Sequence, residues 1–260
     1  MGGKDAVLIF QKERFYVEGM AALFSHNTKL IKQTSSDIYH FYKVECDPSL
    51  NSLKVKIIYP ASQKDIKDFQ RSTSICVRET PQIYMSIIKP YIQSIPESRT
   101  KWIDNILAHH PASDQAKYIF YEDDEFVLVP DTKWDRSNLN QLWCLAIVKD
   151  KNLKSIRDLN SSHLPLLKSI HQSSLTAIEK QYRLKRSEIL VFVQYLPSFF
   201  HLHIHFAHFS RCGGNRMILV EDIIQNIHLA PQYYLTSDLT ILVGDHMDLY
   251  QPLKAHLNIL

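Results

Sequence analysis

Hydrophobic residues in this chain fall into short runs whose period switches between two and about 3.6, the mark of a fold that mixes strands with helices. Residues 6–10 are a continuous apolar run and predict a buried strand, and residues 17–24 predict a short helix. Strands are predicted over 29–32, 38–44 and 53–59, the last alternating at Val55, Ile57 and Tyr59. Pro60 closes this unit, and residues 61–70 carry helical spacing at Ile66 and Phe69. Between 71 and 100, Pro81, Pro90 and Pro96 are interspersed with Ile83, Ile87, Ile88 and Tyr91, which predicts a hinge and a packed helix. A helix over 102–107, a hairpin over 118–129 that turns at the acidic run 122–125, and a strand over 142–148 come next. A long helix follows, capped by Ser161 or Ser162, with Pro165 in its first turn and one apolar face at Leu164, Leu167, Ile170, Leu175 and Ile178. Strands at 189–193 and 202–209, a helix at 221–227, a strand at 239–243 and an amphipathic helix at 248–257 complete the reading. The expected class is α+β: a small N-terminal α+β domain (1–72), a hinge and connecting helix (73–100), and a larger C-terminal domain (101–260).

Composition narrows the class without naming a chemistry. The 260 residues suffice for a substantial core in one or two domains, and 45% hydrophobic with 22% charged residues is an ordinary globular balance. A net charge of +3 with no Lys/Arg run argues against long nucleic acid as a partner and suits a small anionic substrate. No apolar run approaches the roughly 18 residues of a membrane span, so no membrane partner is expected. The N-terminus lacks a signal-peptide pattern, and Ala6 stands where a myristoylation signal needs Ser or Thr. Cys46, Cys76, Cys144 and Cys212 are too scattered for a zinc site or a disulfide framework and read as reduced thiols of an intracellular protein.

The stretch 195–206 carries the candidate chemistry. His201, His203 and His205 alternate with Leu202, Ile204 and Phe206, which places imidazoles on one face of a strand and apolar side chains on the other. Three readings are open. Histidine is the commonest metal ligand, but a rise of roughly 3.3 Å per residue puts His201 and His205 about 13 Å apart, too far for one ion to hold all three. Alternatively the central imidazole is a nucleophile flanked by two orienting rings. The third reading is a polar, half-exposed strand with no site.

Here the chain resembles a known family. The run His201-Leu-His-Ile-His-Phe-Ala207 is similar to the signature of the histidine-triad superfamily of nucleotide hydrolases and transferases. Residues 126–134, 155–159, 163–167 and 195–198, with Asp37-Ile-Tyr39, Tyr59-Pro-Ala61 and Arg78-Glu-Thr80, resemble the scavenger mRNA-decapping branch from about residue 4 to the C-terminus. Relative to that family the chain is expected to be truncated at its front. The resemblance implies an antiparallel sheet flanked by helices in a histidine-triad domain, a homodimer joined through the N-terminal domains, and no cofactor or metal. It implies metal-independent hydrolysis of the cap triphosphate of short capped RNA or cap dinucleotide, releasing 7-methylguanosine monophosphate in mRNA decay. The nucleophile would be His203, with His201 and His205 orienting it and donating to phosphate oxygens. A neutral imidazole suits that role because it does not repel phosphate oxygens.

The same resemblance assigns the remaining site residues. Lys133 and Arg216 would clamp phosphates, and Ser198 would bond a phosphate oxygen. Trp102 would stack on the cationic base, a contact of roughly 0.5–2 kcal/mol. Asp114 would accept from the guanine edge, Asp131 would bind substrate, and Tyr39 with Ser36 would reach it from the N-terminal domain. Four positions depart from the family: Thr132 replaces a leucine against the base, Gln194 and Phe199 replace a histidine and a tyrosine near the phosphates, and Trp143 replaces a strand tyrosine. Phe199 and Trp143 are each expected to lose about 1 kcal/mol of hydroxyl hydrogen bonding. Those departures and the short N-terminus keep open a cap-nucleotide-binding module with poor turnover, and the histidine triad itself leaves a general histidine-triad dinucleoside polyphosphate hydrolase as a further alternative. The expected location is the cytoplasm, with the nucleus as a second compartment.

Overall fold

The structure is a computed structural model that describes residues 5–12, 20–36, 39–50, 52–62, 66, 73–111, 113–211 and 217–257. The chain divides into two compact units, Met1–Arg71 and Ser72–Leu260.

The N-terminal unit holds β1 (Val7–Lys12), β2 (Lys29–Ser36), β3 (Tyr39–Glu45) and β4 (Leu53–Ile58) in two antiparallel ribbons, β1 with β4 and β2 with β3. Where a helix over 17–24 was expected, Met20–Phe24 forms a 3-10 turn, and residues 13–19 lie outside the described residues. Most of the helix expected over 61–70 also lies outside them. Leu8 opposes Ile57 and Phe10 opposes Val55 across the β1–β4 ribbon. Directly opposed residues share a face, so these four side chains form one apolar patch. It is open to solvent, with Phe10 63% and Ile57 64% exposed.

The C-terminal unit begins with β5 (Ser74–Glu79), inside the stretch expected to be a hinge. It pairs along its length with β12 (Leu239–Gly244), bringing the two ends of the unit together. The sequence hides this strand because, of its inward positions Ile75, Val77 and Glu79, the last is a glutamate, which breaks the apolar alternation. Helix α1 (residues 81–94) starts at the Thr80 cap with Pro81 at its first position and passes through a π-helical turn, Tyr84–Ile88. Helix α2 (Lys101–Leu107) follows.

The main sheet is six-stranded and antiparallel, in the order β11-β9-β10-β8-β7-β6. Its strands are β6 (Tyr121–Glu122), β7 (Phe126–Pro130), β8 (Trp143–Val148), β9 (Ile189–Gln194), β10 (His203–His208) and β11 (Met217–Leu219). Helices α3 (Leu164–Tyr182), α4 (Val220–Leu229), α5 (Tyr233–Thr236) and α6 (Tyr250–Leu257) belong to the same unit. Neither Ser161 nor Ser162 caps α3: a 3-10 turn, Ser161–His163, leads into it and is capped by Asn160, whose amide oxygen accepts from the Ser162 backbone N–H at 2.9 Å.

Period-2 alternation gives the sheet two buried faces. Phe126, Leu128, Cys144, Ala146, Val148, Ile204 and Phe206 belong to the larger core, with Leu167, Ile170 and Ile178 of α3 and Ile223 and Ile227 of α4. Val127, Val129, Leu145 and Ile147 face the other way and pack with Ile103 and Ile106 of α2. Each buried Val, Leu, Ile or Phe among them contributes roughly 1.5–3 kcal/mol relative to exposure. The second face packs against the short helix α2, and His203 and His205 stand on the same face.

Candidate active site

Strand β10 positions His203 and His205 opposite Ile147 and Leu145 of β8. They therefore share the face of the smaller core, while Ile204 and Phe206 are buried on the helix side. All six residues of β10 are buried, so the half-exposed polar strand does not describe it. His201 precedes the strand, and its Nε2 lies 2.6 Å from the Val148 carbonyl.

The hydrogen bonds fix which nitrogen of each ring carries the proton. The His201 carbonyl, which only accepts, lies 2.7 Å from His203 Nδ1, so that nitrogen donates and Nε2 keeps the lone pair. At His205 the logic reverses. The indole N–H of Trp143, which only donates, lies 2.9 Å from His205 Nδ1, so the neutral ring carries its proton on Nε2. That Nε2 is buried and has no partner among the described residues. Burial holds all three imidazoles neutral: His203 is pushed down to about 4, His205 to about 2, with the neighbouring His203 adding to the effect, and His201 is lowered as well.

A cavity of about 410 Å³ opens over this face, lined among others by Trp102, Asp131, Thr132, Lys133, Ser198 and Phe199. Gln194, His203, His205, Leu145 and Gln115 complete its wall. Trp102 comes from α2. Asp131, Thr132 and Lys133 come from the turn after β7, where the Asp131 carboxylate accepts from the Lys133 backbone N–H at 2.7 Å. Phe199 stacks on His203 with ring centroids 4.1 Å apart and meets Trp102 edge-on at 4.9 Å. Among the described residues, no cluster of three or more His, Cys, Asp or Glu is arranged to hold a metal ion.

The loop carrying Ser198 and Phe199 is anchored from below. Tyr195 donates to both carboxylate oxygens of Glu79, at 3.0 and 2.9 Å. Glu79 is paired with Arg157, both side chains fully buried, and Arg157 also donates to the carbonyls of Tyr234 and Ser237. Ser155 and Asp158 cap the turn that presents Arg157.

Several expectations need correction. Asp114 does not reach the cavity: it is on the surface, 2.8 Å from Lys117, whose hydrogen bond and charge hold the carboxyl below its ordinary range. Gln115 faces the cavity instead, because one step along a 3-10 turn swings a side chain by about 120°. Its amide N–H₂ points at the Pro130 carbonyl, 3.4 Å away, leaving the amide oxygen for the cavity. The ring of His201 is not part of the cavity wall; its carbonyl is what serves His203. Trp143 gains a hydrogen bond where a loss was expected. Arg216 lies outside the described residues, and Ser36 and Tyr39 face each other in register in the N-terminal unit's β2–β3 ribbon.

The sequence matches the family described as scavenger mRNA decapping enzyme C-term binding over residues 101–218, and its N-terminal counterpart over residues 1–72. It is 35% identical to the m7GpppX diphosphatase of Rattus norvegicus, with 97% of this chain and 76% of the relative aligned. The Homo sapiens protein of that name is 35% identical, covering 92% of this chain and 72% of its own, and the Schizosaccharomyces pombe one is 32% identical, covering 95% and 85%. With the imidazole pair, the lysine-bearing turn and the tryptophan wall in place, these relatives settle the lineage: the chain belongs to the scavenger mRNA decapping enzyme family.

Proposed function

We propose that this protein hydrolyses the triphosphate bridge of 7-methylguanosine-capped dinucleotide or short capped RNA, releasing 7-methylguanosine monophosphate. The support is its membership among m7GpppX diphosphatases and one observation: Nδ1 of His203 is spent on the His201 carbonyl, which leaves the Nε2 lone pair free in a neutral, buried ring. That lone pair attacks the phosphorus attached to methylguanosine, and the anhydride P–O bond breaks. The electrons of that bond leave with the RNA diphosphate. A water molecule then displaces the imidazole, its proton passing to solvent, and the Nε2 lone pair is restored. His205 Nε2–H donates to a non-bridging oxygen, and Lys133 balances its charge. No step draws on a metal.

The same reading takes a second copy of this chain as partner. The four-residue apolar patch of the β1–β4 ribbon is what a monomer would not leave open, and pairing two copies would cover it. The homodimer would work in the cytoplasm and nucleus.

The test is turnover of cap dinucleotide in excess chelator, with a search for an acid-labile phosphoramidate on quenched protein. The reading expects product from the natural chain, none from His203→Asn, and label trapped on the natural chain alone. Undiminished hydrolysis by His203→Asn overturns it. Sedimentation of Phe10→Glu is expected to give monomer where the natural chain gives dimer.

A further inference from the structure

The unassigned feature closest to the chemistry is the indole of Trp143. We infer that Trp143 is a positioning residue: its N–H locks His205 into the one tautomer that can donate to the substrate's phosphate oxygen. The inference rests on the reading of His203 as the nucleophile, and adds the device that prepares its neighbour.

Three contacts surround the His205 ring. Phe192 stacks on it with centroids 5.0 Å apart and planes 15° from parallel. The His203 ring meets it edge-on at 4.8 Å. The Trp143 N–H sits in hydrogen-bond contact with Nδ1 at 2.9 Å. Only Nε2 is left, and it is a buried donor without a partner among the described residues, in the wall of the reaction cavity. A desolvated donor with nothing to bond destabilises the free protein by roughly 1–3 kcal/mol, and an arriving oxyanion removes that penalty.

The indole cannot serve the other tautomer. It has one hydrogen to give and no acceptor, so a His205 protonated at Nδ1 would set N–H against N–H. A phenol at the same place donates or accepts, and would tolerate either state. The tryptophan therefore imposes a choice that a tyrosine leaves open.

Trp143 is itself held. The Arg211 guanidinium lies 5.0 Å over its ring. The same guanidinium donates to the Gln141 carbonyl at 2.7 Å and to the Lys133 carbonyl at 3.0 Å. The Trp143 carbonyl accepts from the Asp131 N–H at 2.8 Å, and the ring meets Phe192 edge-on at 5.8 Å. One arginine thus fixes both the indole and the turn that carries Lys133.

The experiment labels histidine with ¹⁵N in the full chain and reads ring tautomers from long-range ¹H–¹⁵N spectra. It is repeated with benzothienylalanine at position 143, which keeps the bicyclic shape and lacks the N–H, and with Trp143→Phe. Circular dichroism confirms that each variant folds. In the natural chain His205 is expected to carry its proton on Nε2 alone, from pH 5 to 8. Without the indole N–H both tautomers should appear, and kcat on cap dinucleotide should fall roughly tenfold while KM moves less than twofold. Trp143→Tyr should recover part of kcat. A His205 protonated at Nδ1 in the natural chain, or an unchanged tautomer and kcat in the benzothienyl protein, overturns the inference. Turnover by the natural chain reports separately on the proposed reaction, because the tautomer spectra do not depend on it.

Discussion

Acidification tests the proposed nucleophile most directly. In the proposed reaction His203 must be neutral to attack, and burial pushes its imidazole down to about 4 from the ordinary value of 6.5. At pH 5.5 an ordinary imidazole is about 10% neutral, whereas His203 should be more than about 90% neutral, a roughly tenfold difference in competent enzyme. His205, pushed down to about 2, remains an Nε2–H donor throughout. We therefore expect kcat/KM for cap dinucleotide, measured at constant ionic strength, to hold its plateau from pH 8 to about 5 and to fall only as pH approaches 4. The sign for stability is the same. The unfolded chain takes up a proton near pH 6.5 and the folded one near 4, so between these values the unfolded state binds more protons. The full contribution of His203 to stability is present above about pH 6.5 and is lost as pH falls towards 4, by roughly 3 kcal/mol in total. Denaturant midpoints at pH 7 and pH 5 read that slope together with those of His201 and His205, which are lowered too and act with the same sign. An acid limb in kcat/KM centred near 6.5 would refute the reasoning, since it would mean that the ring is solvated or paired with a charge.

Two further outcomes follow from other contacts. Trp102→Ala removes one aromatic wall of the cavity and the edge contact to Phe199, and should weaken binding of a methylated cap analogue by about 5–30-fold in a titration, with kcat changed much less. Arg157→Ala leaves Glu79 buried without its partner and should destabilise the fold by roughly 3–5 kcal/mol in denaturant melts, whereas an Arg157→Met, Glu79→Gln double variant should recover part of that loss.

The alternation of His203 and His205 with Ile204 and Phe206 is local, and so the sequence carried it plainly. The cavity side chains of the 131–133 turn and the 198–199 loop were legible for a different reason: they sit in short motifs that resemble relatives. What the sequence hid depends on partners distant along the chain. Strand β5 is a strand because β12 pairs with it, some 160 residues on. Trp143 looked like a lost hydroxyl because nothing in a linear reading shows its N–H meeting a ring 62 positions away. Gln115 and Asp114 are adjacent, and only the turn of the backbone decides which of them sees the cavity. The Arg78-Glu-Thr80 and Ser155-Ile-Arg-Asp motifs carried the resemblance without any physical meaning attached. Their role is the buried Glu79–Arg157 pair beneath Tyr195.

The alternation along β10 makes this gene far more vulnerable to slippage than to misspelling. Losing or adding a single codon between Leu202 and Phe206 would carry isoleucine or phenylalanine into the chamber and press an imidazole against α3. Lineages descending from this chain can thus drift in side chain at many places, but the spacing of those five codons is frozen for as long as the reaction is kept.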